Sequence, residues 1–143
     1  MVPSISLQTA IGLVGDVPVA LLKLDAQGAD FSLLHALPPG LLRSRVNTVR
    51  IEVRSSTCPQ LYAGAVGCEE VVAHFQSEGF HPGSACPPGL NKQGVCVDEK
   101  RRGGTYGKYS CCESDIYFCS ERPMPKGVPV ASCQPAVNQS SHR

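Results

Sequence analysis

The chain has almost no net charge: 13 Lys and Arg face 12 Asp and Glu, for a formal charge of +1 with the histidines neutral. That balance excludes a large basic field for nucleic acid and an acidic tail for a basic partner. No apolar run approaches the roughly 18 to 20 residues that a membrane-spanning helix needs. The amino-terminal stretch MVPSISLQTAIGLVGDVPVALL has no basic n-region, and Asp16 and Pro18 interrupt its apolar residues. It does not read as a signal peptide, and taken literally the chain starts in the cytosol. No pair of cysteines is spaced C-x-x-C, the close ligand pairing that structural zinc sites normally show. No glycine-rich D-x-G-x-x-x-G or G-x-G-x-x-G turn precedes residue 19, so the usual seat for a nucleotide-like cofactor is not evident.

What is present is ordinary apolar content, 42%, over 143 residues. This suffices for one domain with one core and argues against global disorder. The 14 Gly and 12 Pro imply many turns and an irregular region. Eight cysteines stand at 58, 68, 86, 96, 111, 112, 119 and 133. An even, clustered set fits disulfides formed in an oxidising compartment, and Asn138-Gln139-Ser140 fits an N-glycosylation acceptor. Both lean toward the secretory pathway if a longer parent exists, in tension with the missing leader. Vicinal Cys111 and Cys112 are expected to take different partners, because a bridge between neighbours is strained. Zinc and free thiols are the alternatives.

Residue patterns give the order of elements. Ser6 can cap a short helix through Leu7, Ala10, Ile11 and Leu13. Val19 to Leu24 is an almost continuous apolar run and reads as a central parallel strand, covered on both faces. Asp25-Ala26-Gln27-Gly28-Ala29-Asp30 is a small polar turn, followed by a helix from about Ala29 to Leu37 that Pro38-Pro39-Gly40 ends. Val46 to Arg54 is a second strand whose alternation leaves one face wetter, and the two strands with their helix form a βαβ unit. Gly67 to Glu78 is a helix with Cys68, Val71, Val72 and Phe75 on one side, Glu69 and Glu70 in its first turn, and Gly79 beyond its end. Phe80 and His81 begin a third strand. Residues 82–114 form a Cys-rich insertion without periodicity, a length that implies function or cross-linking. Asp115 to Ser120 is the last strand. The segment 122–143 is a Pro-rich tail, expected to be extended or disordered.

In open α/β sheets ligands bind outside the carboxyl ends of parallel strands. Asp25 sits at such an end, with Lys23 in the strand and Gln27, Gly28 and Asp30 on the turn. A carboxylate there can orient a substrate or take a proton, and Gly28 can admit close backbone approach. The plainer reading is that Asp25 and Asp30 cap the helix. Lys100-Arg101-Arg102 reads as a solvated loop. Tyr106, Tyr109 and Tyr117 lack the interleaved basic pattern of a nucleic-acid binder.

VALLKLDAQGADFSLL resembles the "LLKIDVEGAE…VL" signature of the FkbM-type methyltransferases. Four further blocks stand in the family's order around it: VPSISLQTAI is similar to that family's "VPTVTLDDLL" lead-in, VNTVRIEV to its next strand with a Glu near the end, CEEVVAHFQSEGF to its following helix and "GF" turn, and DIYFCS to its closing "DLLFV" strand. The resemblance implies an α/β fold, a partial class I methyltransferase (Rossmann-like) sheet, with residues 1–121 as the carboxyl-terminal part of the domain. It implies S-adenosylmethionine as cofactor and methyl transfer to a hydroxyl of a sugar or small molecule, so that a small-molecule or glycan acceptor is the partner. It assigns Asp25, Lys23 and Glu52 to catalysis, Asp25 and Gly28 to the cofactor, and no metal. Gln27 stands where the family has Glu, Asp30 where it has a second Glu, and Gln8 and Thr9 where it has acids. Only about 18 residues precede what the resemblance makes the fourth strand, so the chain is expected to be a truncated product, a partial gene model or a degenerate paralogue, inactive by itself. Two other classes stand beside it: a non-catalytic, disulfide-stabilised secreted binding module, and a nucleotide-dependent oxidoreductase, which the missing glycine fingerprint leaves without support.

Overall fold

The computed structural model describes residues 4–98 and 111–122. Helix α1 (Leu7–Leu13) begins at Ser6, whose Oγ accepts the Thr9 amide at 3.0 Å, the N-cap its sequence calls for. Strand β1 (Val19–Leu24) follows, then α2 (Asp30–His35), α3 (Leu41–Arg45), β2 (Val46–Arg54), α4 (Cys68–Ser77), β3 (Phe80–Pro82) and β4 (Glu113–Ser120). Helix α3 went unanticipated. Gly40 takes the left-handed conformation (φ 74°) after the two prolines and starts a single turn, too short to show periodicity. Gly79 at φ 82° closes α4 and feeds β3, as a C′ glycine should.

The fold is mixed α/β around one open four-stranded sheet of order β1-β2-β4-β3. β1 and β2 are parallel, and β4 runs antiparallel to both β2 and β3. The pairing aligns Leu22 with Val49, Leu24 with Ile51, Ile51 with Ile116 and Val49 with Phe118. Since side chains alternate across a strand, these residues share one face, and that face is the core. Phe75 of α4 stacks on Phe118 at 4.0 Å between centroids and meets Phe80 edge-on at 5.8 Å. Phe31 of α2 touches His74 of α4 at 5.4 Å, so both helices cover this same face.

The opposite face is charged toward the carboxyl ends of β1 and β2. Arg54 stands opposite Glu113 and pairs with it, Arg50 pairs with Asp115 and lies 5.5 Å over the Tyr117 ring, and Lys23 flanks Arg50. This corrects the expectation that β1 is interior and covered on both faces. β1 is an edge strand; among the described residues nothing pairs with its outer side, and Leu21 is 49% exposed. An apolar run records side chains that tolerate burial, but it does not record which neighbours a strand has.

The described part of the insertion is fastened to the end of β2. Disulfides join Cys58 to Cys112 and Cys68 to Cys86, and Cys119 is also disulfide-bonded. Ser55 donates its amide to Cys112 and Gly89 to Cys111, at 2.8 and 2.9 Å. Cys58, Cys96, Cys111 and Cys112 form a small second apolar cluster with Leu90. Cys111 and Cys112 do not bridge each other, in accord with the strain expected of a vicinal pair. Arg122 donates to the carbonyls of Arg43 and Ser44, so the first residue of the expected tail is tied to α3. The rest of that tail, and the Lys100-Arg101-Arg102, Tyr106 and Tyr109 segment, lie outside the described residues.

Candidate functional site

A cleft of about 70 Å³ opens at the carboxyl ends of β1 and β2, where an α/β sheet places its ligands. Three segments form most of it, the turn after β1, the last residues of β2, and the loop 59–67 that leads into α4, and Phe31 of α2, Val71 of α4 and Glu113 of β4 complete the wall.

The turn is shaped by its own side chains. Asp30 Oδ1 accepts the Ala26 amide at 2.7 Å and Oδ2 the Gly28 amide at 3.4 Å. Asp30 therefore holds the turn, close to the plainer reading of it as a cap. Gln27 is left-handed (φ 50°) and Gly28 has φ 94°. A Cβ on Gly28 would stand 2.4 Å from Cβ of Tyr62. The glycine thus admits the protein's own tyrosine, whose hydroxyl donates to Gln27 Oε1.

The expected catalytic residues divide. Asp25 is exposed and lies off the cleft wall. Lys23 Nζ donates to its Oδ2 at 2.9 Å and Gln27 Nε2 to its Oδ1 at 3.3 Å. The Lys23 hydrogen bond and charge, then the Gln27 bond, hold its carboxyl below the ordinary range, which makes it a poor proton acceptor. Lys23 is occupied by that pair on the charged face. Glu52 is on the cleft wall. Burial first, then repulsion from Glu113, Asp25, Asp115 and Asp30, pushes its pKa up, the direction a general base needs. The structure therefore brings Glu52, Gly28 and Asp30 into one cleft and leaves Lys23 and Asp25 beside it.

Two residues on this wall escaped the sequence reading. Arg54, 9% exposed, donates through Nε to Pro59 O at 2.6 Å and through Nη1 to Glu113, while its buried Nη2 has no partner among the described residues. Tyr62 supplies the outer wall with Leu61 and Gln60. The available signal was position: both belong to the carboxyl end of a parallel strand or the loop after it, where ligand contacts concentrate.

Among the described residues no group of three or more His, Cys, Asp or Glu side chains is placed to hold a metal ion, and no helix is long and apolar enough to cross a membrane. The described residues by themselves do not fit S-adenosylmethionine. Tyr62 fills the space beside Gly28, and ligand pockets generally start at about 300 Å³, so this cleft admits one end of a ligand. Comparison with family models, with curated proteins and with solved structures finds no match in any of the three.

Proposed function

We propose that the chain is a methyltransferase homologue whose described residues form the acceptor side of the site, with a hydroxyl of a sugar or small molecule as the methyl acceptor. One observation carries the reading: Glu52 and the 25–30 turn converge on a single cleft at the carboxyl ends of two parallel strands joined through a helix. The blocks VALLKL, VNTVRIEV, CEEVVAHFQS and DIYFCS, which carry the resemblance, each fall in the strand or helix it implies, in the implied order. This arrangement of β1, β2 and the returning β4 suits one half of a Rossmann-like sheet. S-adenosylmethionine, when bound, supplies an electrophilic methyl. The chain's own contribution is to seat the hydroxyl, exclude water beneath Tyr62, and take up the hydroxyl proton at the Glu52 carboxylate. The donor would lie toward the open edge of β1.

The test has two arms. Titration calorimetry of the 143-residue chain with S-adenosylmethionine should give no measurable binding, and micromolar affinity would contradict the division of the site. A form that carries a glycine-rich strand–turn–helix segment ahead of β1 should transfer a tritiated methyl group to a polyol and lose that transfer on Glu52→Gln. If such a form neither binds the donor nor transfers the label, the enzyme kinship fails.

A second reading rests on the cross-links. Two bridges and a fifth bonded cysteine, Cys119, fasten the insertion and the sheet, as in a disulfide-stabilised secreted binding module. They are compatible with an extracellular location.

A further inference from the structure

We propose that Lys23, Asp25, Gln27 and Tyr62 form one side-chain relay that latches the loop 59–67 over the cleft, so that this loop is the gate of the site and Asp25 is a positioning residue for it. The inference rests on the reading of the cleft as an acceptor site, and it adds how that site opens and what Lys23 and Asp25 do for it.

The loop is built as a flap with fixed ends. It runs between Cys58, bridged to Cys112, and Cys68, bridged to Cys86. Arg54 Nε also holds the Pro59 carbonyl at 2.6 Å. Between these anchors residues 59–64 are exposed. Among the described residues the loop sends out one side-chain hydrogen bond, from the Tyr62 hydroxyl to Gln27 Oε1. The Tyr62 ring also packs on Gly28, where a β-carbon would come within 2.8 Å of Cγ. Closed in this way the cleft holds about 70 Å³, whereas ligand pockets generally start at about 300 Å³. Gln60, Leu61, Tyr62, Ala65 and Val66 all line the cleft from the loop, so lifting the flap uncovers that whole side to a ligand.

The latch depends on groups outside the loop. Lys23 Nζ donates to Asp25 Oδ2 at 2.9 Å, and Gln27 Nε2 donates to Asp25 Oδ1 at 3.3 Å. An ionised carboxylate only accepts. Asp25 therefore draws the Nε2 end of the Gln27 amide and leaves Oε1 for the loop, where it accepts from Tyr62. The Lys23 hydrogen bond and charge, and then the Gln27 bond, keep that carboxyl ionised. Lys23 thus acts on the loop through two intermediates. Gln27 is the strained link. Its φ of 50° is uncommon for a residue with a β-carbon, and such residues gather at switches. All three bonds of the relay are exposed and compete with water, so the latch can release while the sheet stays folded.

The test is NMR of the full chain with its disulfides intact. Tyr62→Phe keeps the ring on Gly28 and removes the hydroxyl. Gln27→Met keeps the length and removes both amide bonds. Asp25→Ala removes the acceptor at the far end. The Ala65 amide closes the loop's own turn on the Tyr62 carbonyl at 3.2 Å. Each variant should speed its hydrogen exchange about fivefold, as loss of one hydrogen bond does. Asp25→Ala combined with Tyr62→Phe should add little to Tyr62→Phe alone, because both act on one bond. A neutral nitroxide in the buffer should broaden the methyl signals of Ile51 and Val71, buried in the cleft wall, more in the variants than in the parent. Should Gln27→Met disturb the left-handed turn, the other two variants decide. An Ala65 rate unchanged by Asp25→Ala, or fully additive effects, would end the relay at Gln27. A rate unchanged by Tyr62→Phe would leave no latch, and faster exchange without added broadening would leave no gate. Any of these overturns the proposal. The test uses neither S-adenosylmethionine nor an acceptor, so a failed donor titration or methyl transfer leaves the gate standing, and a failed gate leaves the methyltransferase reading to its own experiment.

Discussion

Tyr62 occupies the space that a side chain on Gly28 would need: the two β-carbons would lie 2.4 Å apart. The contact joins the turn after β1 to the loop after β2, and the tyrosine hydroxyl adds a hydrogen bond to Gln27. Gly28→Ala faces two penalties, the clash and a left-handed backbone at φ 94°. Left-handed strain alone costs about 1 to 3 kcal/mol. The expected outcome is a loss of at least that size in urea unfolding, with faster amide exchange through residues 59–67. Tyr62→Gly removes that β-carbon and should relieve the clash, so the double variant should recover part of the loss. Equal stability of Gly28→Ala and the parent would show that this contact does not hold the cleft closed.

The bridges are expected to contribute strongly to the stability of this small sheet. Cys58–Cys112 spans 54 residues and Cys68–Cys86 spans 18. Loop-closure entropy gives about 4 kcal/mol for the first and about 3 kcal/mol for the second. Cys58→Ala/Cys112→Ala should therefore lower the unfolding midpoint more than Cys68→Ala/Cys86→Ala. The order would reverse if the insertion retained its shape in the unfolded chain. A melting temperature unchanged by reductant would refute the claim for both.

The fold was largely legible because its elements are locally consistent. Val49–Arg54 alternates apolar and charged residues, α4 carries Val71 and Phe75 at helical spacing between Gly67 and Gly79, and Ser6 marks the start of α1. Neighbourhood was not legible. The run VALLKL has the composition of an interior strand, yet β1 is at the edge, since sheet order is decided by residues distant in sequence. The site shows the same division. The 25–30 turn was visible as a polar break after a strand, but the direction of Asp25, toward Lys23 and Gln27 and away from the cleft, depends on rotamers. Arg54 looked like one more residue of an alternating strand, and the groups that hold its guanidinium, Glu113 and the Pro59 carbonyl, come from outside that strand.

Glu52 should set an acid-range dependence of stability. Its folded pKa is raised, first by burial and then by neighbouring carboxylates. The folded state therefore holds its proton to higher pH than the unfolded state does. As pH rises from the ordinary carboxylate range through the raised value, this group subtracts stability, and the penalty persists at neutral pH. Glu52→Gln should raise the melting temperature at neutral pH, with the difference shrinking toward zero as pH falls below about 4. A constant difference across that range would assign the effect to packing. Asp25 works in the opposite direction: its lowered pKa makes its contribution present above the ordinary carboxylate value and lost as pH falls through the lowered one, so Lys23→Met should flatten that part of the profile.

His74 should govern the next step of the profile. Its ring is 4.8 Å from that of His35 and 5.4 Å from Phe31. Burial, then the charge of His35, lowers its pKa, while Glu78 opposes the shift. The unfolded chain thus takes up a proton near the ordinary histidine value of about 6.5, while the folded chain does so only at lower pH. Between those two values the unfolded state binds more protons, so stability falls as pH drops through the window and levels off below it. His74→Phe keeps an aromatic ring against Phe31 and His35 and removes the titrating group. Its melting temperature should vary less than the parent's between pH of about 7 and about 5, and the two curves should converge at alkaline pH. The effect should survive Glu52→Gln, because Glu52 lines the cleft beside Asp30 at the start of α2 while His74 packs on His35 at its end. A parent whose stability is flat across this window, or a His74→Phe variant with the parent's slope, would mean that the His35–His74 contact opens enough in solution for His74 to protonate without cost.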